Sequence, residues 1–313
     1  MIEYLYLGRV DYADGLRLQA EIVKLCVEER VGNTLLLLEH PPVLTLGRNA
    51  SRANILASSQ ALSARGVTLH EINRGGDVTY HGPGQLVGYP IFDLRKTSNP
   101  ATGRRLGPVD FVRLMEEALI GLCAGFGVAA GRICGLTGVW CAPHSHSCAP
   151  RLNSLDEGCG LATDSDQNQS GPEAKIGAIG IHVSRGITSH GFAFNVTTDL
   201  DAFRLINPCG ITDRPVTSLE KEIALTGSLL PEAALELELL AHRAAEHFGR
   251  VFEQPVESVE SLTALDESLS DVAQRIHKSQ AGEAHNAPTV GVPLKIPKKI
   301  EQVRKLPEQP VRA

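Results

Sequence analysis

No apolar run in this 313-residue chain approaches the roughly 18 residues that a helix needs to cross a bilayer. The N-terminus, Met1-Ile2-Glu3-Tyr4-Leu5, has no basic segment ahead of an apolar one, so export is not expected and the cytoplasm is the expected compartment. Basic residues are not in excess either. Lys and Arg number 30 against 36 Asp and Glu, a net charge of −6, which argues against non-specific nucleic-acid binding. Seven cysteines are too few for a disulfide framework in a chain of this size, and the odd number leaves at least one without a partner. Three catalytic signatures are also missing. Gly82-x-Gly84 lacks the third glycine of a dinucleotide loop, since Val87 stands there, and no Gly-Lys-Ser/Thr phosphate loop occurs. Ser189 has Ile187 two residues before it where a nucleophile elbow needs glycine. ATP-driven and serine-hydrolase chemistry lose ground accordingly.

What is present is ordinary globular composition, 42% hydrophobic and 21% charged, with enough chain to bury a core. Apolar residues at Leu16, Ala20, Val23 and Val27 predict an amphipathic helix over 12–29. Thr34–Leu38 and Val43–Leu46 read as buried strands broken by Pro41-Pro42. Val112, Met115, Leu119 and Leu122 predict a helix over 108–124, stopped by Gly125. Residues 175–183 and 189–196 read as strands joined by a turn at Ser184-Arg185-Gly186, with Phe192, Phe194 and Val196 on one face. Pro231 opens a helix that Gly249 is expected to close. Helices and strands interleave irregularly, which favours an α+β fold of mixed sheets flanked by helices over a doubly wound sheet.

Two stretches look foreign to that core. Residues 143–172 are rich in Ser, Asn, Asp, Gln and Gly and read as an inserted flexible loop. The catalytic unit is expected over 1–254, and 255–313 as a C-terminal extension. There, Leu262, Leu265, Leu269, Val272 and Ile276 predict a short amphipathic helix, followed by a flexible basic tail.

The densest signal for chemistry is Arg74-Gly75-Gly76-Asp77-Val78-Thr79-Tyr80-His81-Gly82-Pro83-Gly84-Gln85. Four glycines and a proline in twelve residues specify backbone geometry, either a close approach to a ligand or an elaborate turn. Asn207-Pro208-Cys209-Gly210 sets a thiol on a corner, where it is either a nucleophile or an inert buried group. Lys175-Ile176-Gly177-Ala178-Ile179-Gly180 begins a strand with a lysine and follows it with small residues.

These motifs, with Leu136-Thr137-Gly138-Val139-Trp140 and Ser189-His190-Gly191-Phe192-Ala193-Phe194-Asn195, together resemble the lipoyl(octanoyl) transferases of the biotin/lipoate ligase-like superfamily. The resemblance covers about residues 2–250 in the right order. It implies a two-step acyl transfer without a cofactor. Cys209 would attack the thioester of octanoyl-acyl carrier protein, with Lys175 lowering the thiol pKa. A lysine of a lipoyl domain, in a 2-oxoacid dehydrogenase complex or the glycine cleavage H protein, would then take the octanoyl group. The acyl-binding segments it implies are Arg74 to His81, Ala178 to Gly180 and Gly191 to Ala193. Either His81 or His190 is placed to donate to the acyl carbonyl or to be satisfied within its own loop. At about 0.8 kcal/mol per buried methylene, an eight-carbon chain offers roughly 5 kcal/mol of binding. One methylene more or less changes that by only about 1–3 kcal/mol, so chain length is not sharply specified by the sequence.

Three other readings compete. An ATP-dependent lipoate–protein ligase on the same fold has no cysteine thioester, so Cys209 separates the two. A non-catalytic module that captures lipoyl domains would be free to lose Lys175 or Cys209. A metal-sensing protein would be built on Cys141, His144, His146, Cys148 and Cys159, which are zinc-compatible ligand types whose spacing matches no standard site.

Overall fold

The computed structural model describes residues 1–142, 173–207, 214–227 and 231–286, the side chains of 232 and 282–286 excepted. The chain runs β1 (Ile2–Arg9), α1 (Tyr12–Val27), β2 (Asn33–Glu39), β3 (Val43–Leu46), α2 (Ser59–Ala64), β4 (Thr68–Glu71), β5 (Val78–His81) and β6 (Gln85–Ile91). It continues through α3 (Pro108–Ala124), β7 (Ala130–Ile133), β8 (Leu136–Cys141), β9 (Ala174–Ser184), β10 (Ile187–Asn195) and α4 (Leu219–Leu225). The last described elements are α5 (Leu237–Phe252), β11 (Val256–Ser258), α6 (Leu262–Leu265) and α7 (Ser270–Asn286). One mixed sheet has the order β11-β1-β2-β6-β10-β9-β8-β7, and a small second sheet has the order β4-β3-β5.

Strand β2 explains the layering. Its leucine run is apolar at every position because both faces are covered. Leu35 and Leu37 enter a core beneath α3, α4 and α5, whereas Leu36 and Leu38 enter a core beneath α1, α6 and α7. Phe192, Phe194 and Val196 join the first of these, as their alternation predicts. Leu44, Val78, Tyr80 and Phe203 form a third core at the small sheet.

The turn between β9 and β10 places Arg185 at φ 52° and Gly186 at φ 81°. Positive φ at both central residues matches the right-handed twist of the flanking strands and fixes a tight hairpin. Helix α1 exists as expected but turns a different face inward. Gly15, Leu18, Ile22 and Leu25 are buried with Gln19 and Cys26, while Ala20 and Val27 are exposed. The bulkier Leu18-Ile22-Leu25 row buries more apolar area than the row through Ala20, so it wins the contact with the sheet. Gly249 does not close α5. The helix runs on to Phe252 and ends at Glu253, which adopts φ 51°. Gly249 instead lets β11 approach, because a Cβ there would sit 2.8 Å from Val256 Cγ1.

Residues 255–286 continue the same packing. Val256 pairs in parallel with Ile2 and places β11 at the sheet edge. Leu262, Leu269 and Ile276 are buried in the layer that covers α1. Gln280 Nε2 donates to the carbonyls of Leu7 and Arg9, where β1 bulges. The 143–172 segment and residues 287–313 lie outside the described residues. If this layer is part of the folded unit, Ile276→Ala should lower stability by about 2–4 kcal/mol in chemical denaturation. A loss below about 0.5 kcal/mol would show α7 to be an appendage.

Candidate active site

A cavity of about 600 Å³ opens between the glycine-rich loop, the β9–β10 hairpin and the start of β8. Thr79 and His81 line it, while Val78 and Tyr80, at the alternate positions of β5, point away into the small-sheet core. Arg74, Gly75, Gly76, Asp77, Ala178, Ile179, Gly180, Gly191, Phe192, Ala193 and Lys175 also line it. Segments as far apart in sequence as Arg74 and Ala193 therefore meet at one site. Cys209, with Pro208 and Gly210, lies outside the described residues.

The structure adds lining residues that the motifs did not reveal. Val87 and Tyr89 come from β6, Tyr12 from the start of α1 and Val112 from α3. The first two were accessible in principle, because β6 pairs with β10 in a register that sets Val87 opposite Ala193. Tyr12 and Val112 sit on helices whose docking no local pattern specifies.

Close backbone approach builds the cavity wall. Gly75 N–H donates to the Ile181 carbonyl at 2.9 Å, and a Cβ at Gly180 would come within 2.7 Å of Gly75 O. Arg74 is buried, and its guanidinium donates to Thr45 Oγ1, the Thr45 carbonyl and Gly75 O. Asp77 faces the loop that follows β3, accepting from Ser51 N–H at 3.1 Å and from the Asn54 side chain.

Lys175 is held by its main chain. Its N–H donates to Pro215 O and its carbonyl accepts from Thr217 N–H, both at 2.9 Å. The ammonium lies 4.5 Å from the centroid of the Trp140 ring, a cation–π distance, with the Arg214 guanidinium 5.8 Å from the same ring. The buried Glu116 carboxylate accepts from Gly138 N–H at 2.9 Å and from Arg113 and Arg132, which fixes the strand carrying Trp140. On the other side of Cys209 in sequence, Asn207 N–H donates to Asn54 O at 2.7 Å. Both flanks of residues 208–213 are thus anchored at this site.

The family described as "Lipoyl protein ligase A/B catalytic domain" matches residues 11–249. An octanoyltransferase of Acidobacterium capsulatum is 52% identical over 274 residues, spanning 88% of this chain and 99% of that protein. Another, from Koribacter versatilis, is 46% identical and spans 88% of this chain and 94% of its own length. The chain belongs to the octanoyltransferases of that family. It is accordingly an acyltransferase. Solved structures at much lower identity share the fold alone. Lipoate-protein ligase A bound with ATP is 16% identical, with a TM-score of 0.53 over 87% of this chain and 95% of that one. P. falciparum LipL1 in complex with lipoate is 11% identical, with a TM-score of 0.53 over 88% and 72%. The mixed sheets flanked by helices are the lipoate ligase architecture that the motifs imply.

In this acyltransferase the two motif histidines are buried and neutral. Burial pushes His81 down to about 3, and its Nδ1 is 2.8 Å from Gln85 Oε1. His190, at φ 58°, is pushed down to about 4, mainly by burial and then by the Arg74 charge. Its Nε2 meets Asn73 Oδ1 at 2.8 Å and its main-chain N–H donates to Gln19 Oε1. His190 is therefore engaged by α1 and by the segment ahead of the glycine-rich loop. Burial also raises the thiols of Cys123 and Cys141 and pushes Cys26 up to about 12, so these three are packing groups. Among the described residues no cluster of His, Cys, Asp or Glu is arranged to hold a metal. His144, His146, Cys148 and Cys159 lie outside them.

An unfolded histidine takes up a proton near its ordinary 6.5, and these rings do so only near 3 and 4. Their stability contribution is full above about pH 6.5 and is lost as pH falls toward about 4. The His81 and His190 ring resonances should stay in the neutral form from about pH 8 to about pH 5 in an NMR titration. A midpoint near 6.5 for either ring would contradict its burial.

Proposed function

We propose that this acyltransferase moves an octanoyl group from octanoyl-acyl carrier protein to a lysine of lipoyl domains, through a thioester on Cys209, in the cytoplasm. The observation that carries this reading is the anchoring of both flanks of Cys209 beside the cavity, one of them hydrogen-bonded to the main chain of Lys175. The names of the relatives support the octanoyl group, and the apolar cavity suits it.

In the first step Cys209 gives its proton to Lys175, and the thiolate attacks the carbonyl carbon of the donor thioester. The tetrahedral intermediate expels the carrier's sulfur as a thiolate, which takes the proton back from Lys175. In the second step the acceptor's ε-amine attacks the Cys209 thioester. The C–S bond breaks, an amide forms, and the amine's surplus proton passes to Lys175. The Trp140 ring lies at a cation–π distance from the Lys175 ammonium that this transfer forms. Exchange of a thioester for an amide runs downhill, so no nucleotide enters. Acceptors of the expected class are the lipoyl domains of 2-oxoacid dehydrogenase complexes and the glycine cleavage H protein.

The test is intact-mass spectrometry after incubation with octanoyl-acyl carrier protein in the absence of ATP. One hydroxylamine-labile octanoyl adduct should form and vanish when a lipoyl domain is added. Cys209→Ser should give no labile adduct and lower transfer by about a hundredfold or more. A folded enzyme that forms no adduct, yet acylates the domain from octanoate and ATP, would establish the ligase reading instead.

A further inference from the structure

Four buried groups form one hydrogen-bonded run between the cavity wall and the peptide beside Lys175. Its protonation pattern follows from the end whose chemistry leaves no choice. The Thr217 carbonyl can only accept, so the Asn195 amide nitrogen must donate to it, at 2.9 Å. Asn195 Oδ1 is thereby the acceptor for Gln85 Nε2, also at 2.9 Å. Gln85 Nε2 donates in addition to the Tyr80 carbonyl, a longer bond of 3.2 Å that supports the same orientation of its amide. Gln85 Oε1 then faces His81 Nδ1, and only a protonated Nδ1 makes that bond. In a neutral ring the other nitrogen, Nε2, carries a bare lone pair. His81 therefore presents an acceptor, and the expectation that it donates to an acyl carbonyl is set aside.

The donors run head to tail from His81 through Gln85 and Asn195 to Thr217, an arrangement in which each bond polarises the next. Thr217 is a significant terminus. Its N–H donates to the Lys175 carbonyl, and its hydroxyl donates to the buried Glu222 carboxylate. Asn195 is itself buried and is not among the residues lining the cavity.

We infer that Asn195 is a positioning residue: it ties the peptide paired with Lys175 to the cavity wall and, through Gln85, holds His81 with a bare Nε2. Its effect on rate rests on the Cys209 thioester reading above. The tautomer does not depend on that reading.

Long-range proton–nitrogen NMR of histidine-labelled protein reads the tautomer directly. Wild-type His81 should carry its proton on Nδ1. Asn195→Ala should mix the two tautomers and slow octanoyl-adduct formation about tenfold or more, with octanoate binding unchanged. Asn33→Ala provides the control for simple loss of stability. Asn33 donates to Thr97 and Gln254 and does not line the cavity, so its removal should leave both readouts as in wild type. A wild-type proton on Nε2, or an Asn195→Ala enzyme that acylates at the wild-type rate, would overturn the inference. Should Asn195→Ala not fold, the wild-type spectrum still decides the tautomer. Absence of any adduct on wild-type protein would count against the thioester reading and leave the His81 spectrum as the test of the relay.

Discussion

The main-chain pairing of Lys175 with Pro215 and Thr217 is the contact on which the site depends. It joins the first residues of β9 to the chain that follows Cys209, two pieces that no local sequence pattern connects. Everything around it is arranged to keep the pairing in place. The β9–β10 hairpin holds Lys175 in register with the cavity wall, and Asn195 at the end of β10 reaches the Thr217 carbonyl from the other side. Trp140, the next strand's contribution, supplies the ring beside the ammonium.

Glycine and buried polar groups divide the work. Gly75 and Gly180 allow two backbones to close on each other without side chains between them, which shapes an apolar pocket from main chain. Buried polar groups then fix orientation where packing cannot. The Glu116 carboxylate is held by Gly138 N–H and two arginines, and the His81–Gln85–Asn195 run is bonded link by link as far as the Thr217 carbonyl, the condition under which a buried polar network adds rigidity rather than cost. Tyr12 extends the same principle, with its ring stacked at 14° on His81 and edge-on to His40.

Much of the fold was legible because strand and helix periods are local properties. The Ser184-Arg185-Gly186 hairpin, the leucine strand at β2 and helix α3 all follow from patterns a few residues wide. The errors arose where tertiary contact decided between local options. Helix α1 had two apolar rows, and only the sheet beneath it selects the Leu18–Ile22–Leu25 row. Gly249 had the composition of a helix stop, yet its small size is used for the approach of Val256. Within Arg74–His81, the strand alternation of β5 turns Thr79 and His81 to the cavity and sends Val78 and Tyr80 into the opposite core, a distinction the motif does not carry. Gln85 and Asn195 stood inside the motifs without a role, because a role defined by hydrogen-bond direction appears only when both partners are placed.

The central claim is that Lys175 acts on the Cys209 thiol. The most direct test is the pH dependence of Cys209 alkylation by iodoacetamide, followed by peptide mapping, in wild type and Lys175→Met. If the lysine stabilises the thiolate, wild-type reactivity should inflect clearly below the ordinary thiol value of about 8.5, and the variant should move back up toward it. Coincident inflections in the two proteins would contradict the account.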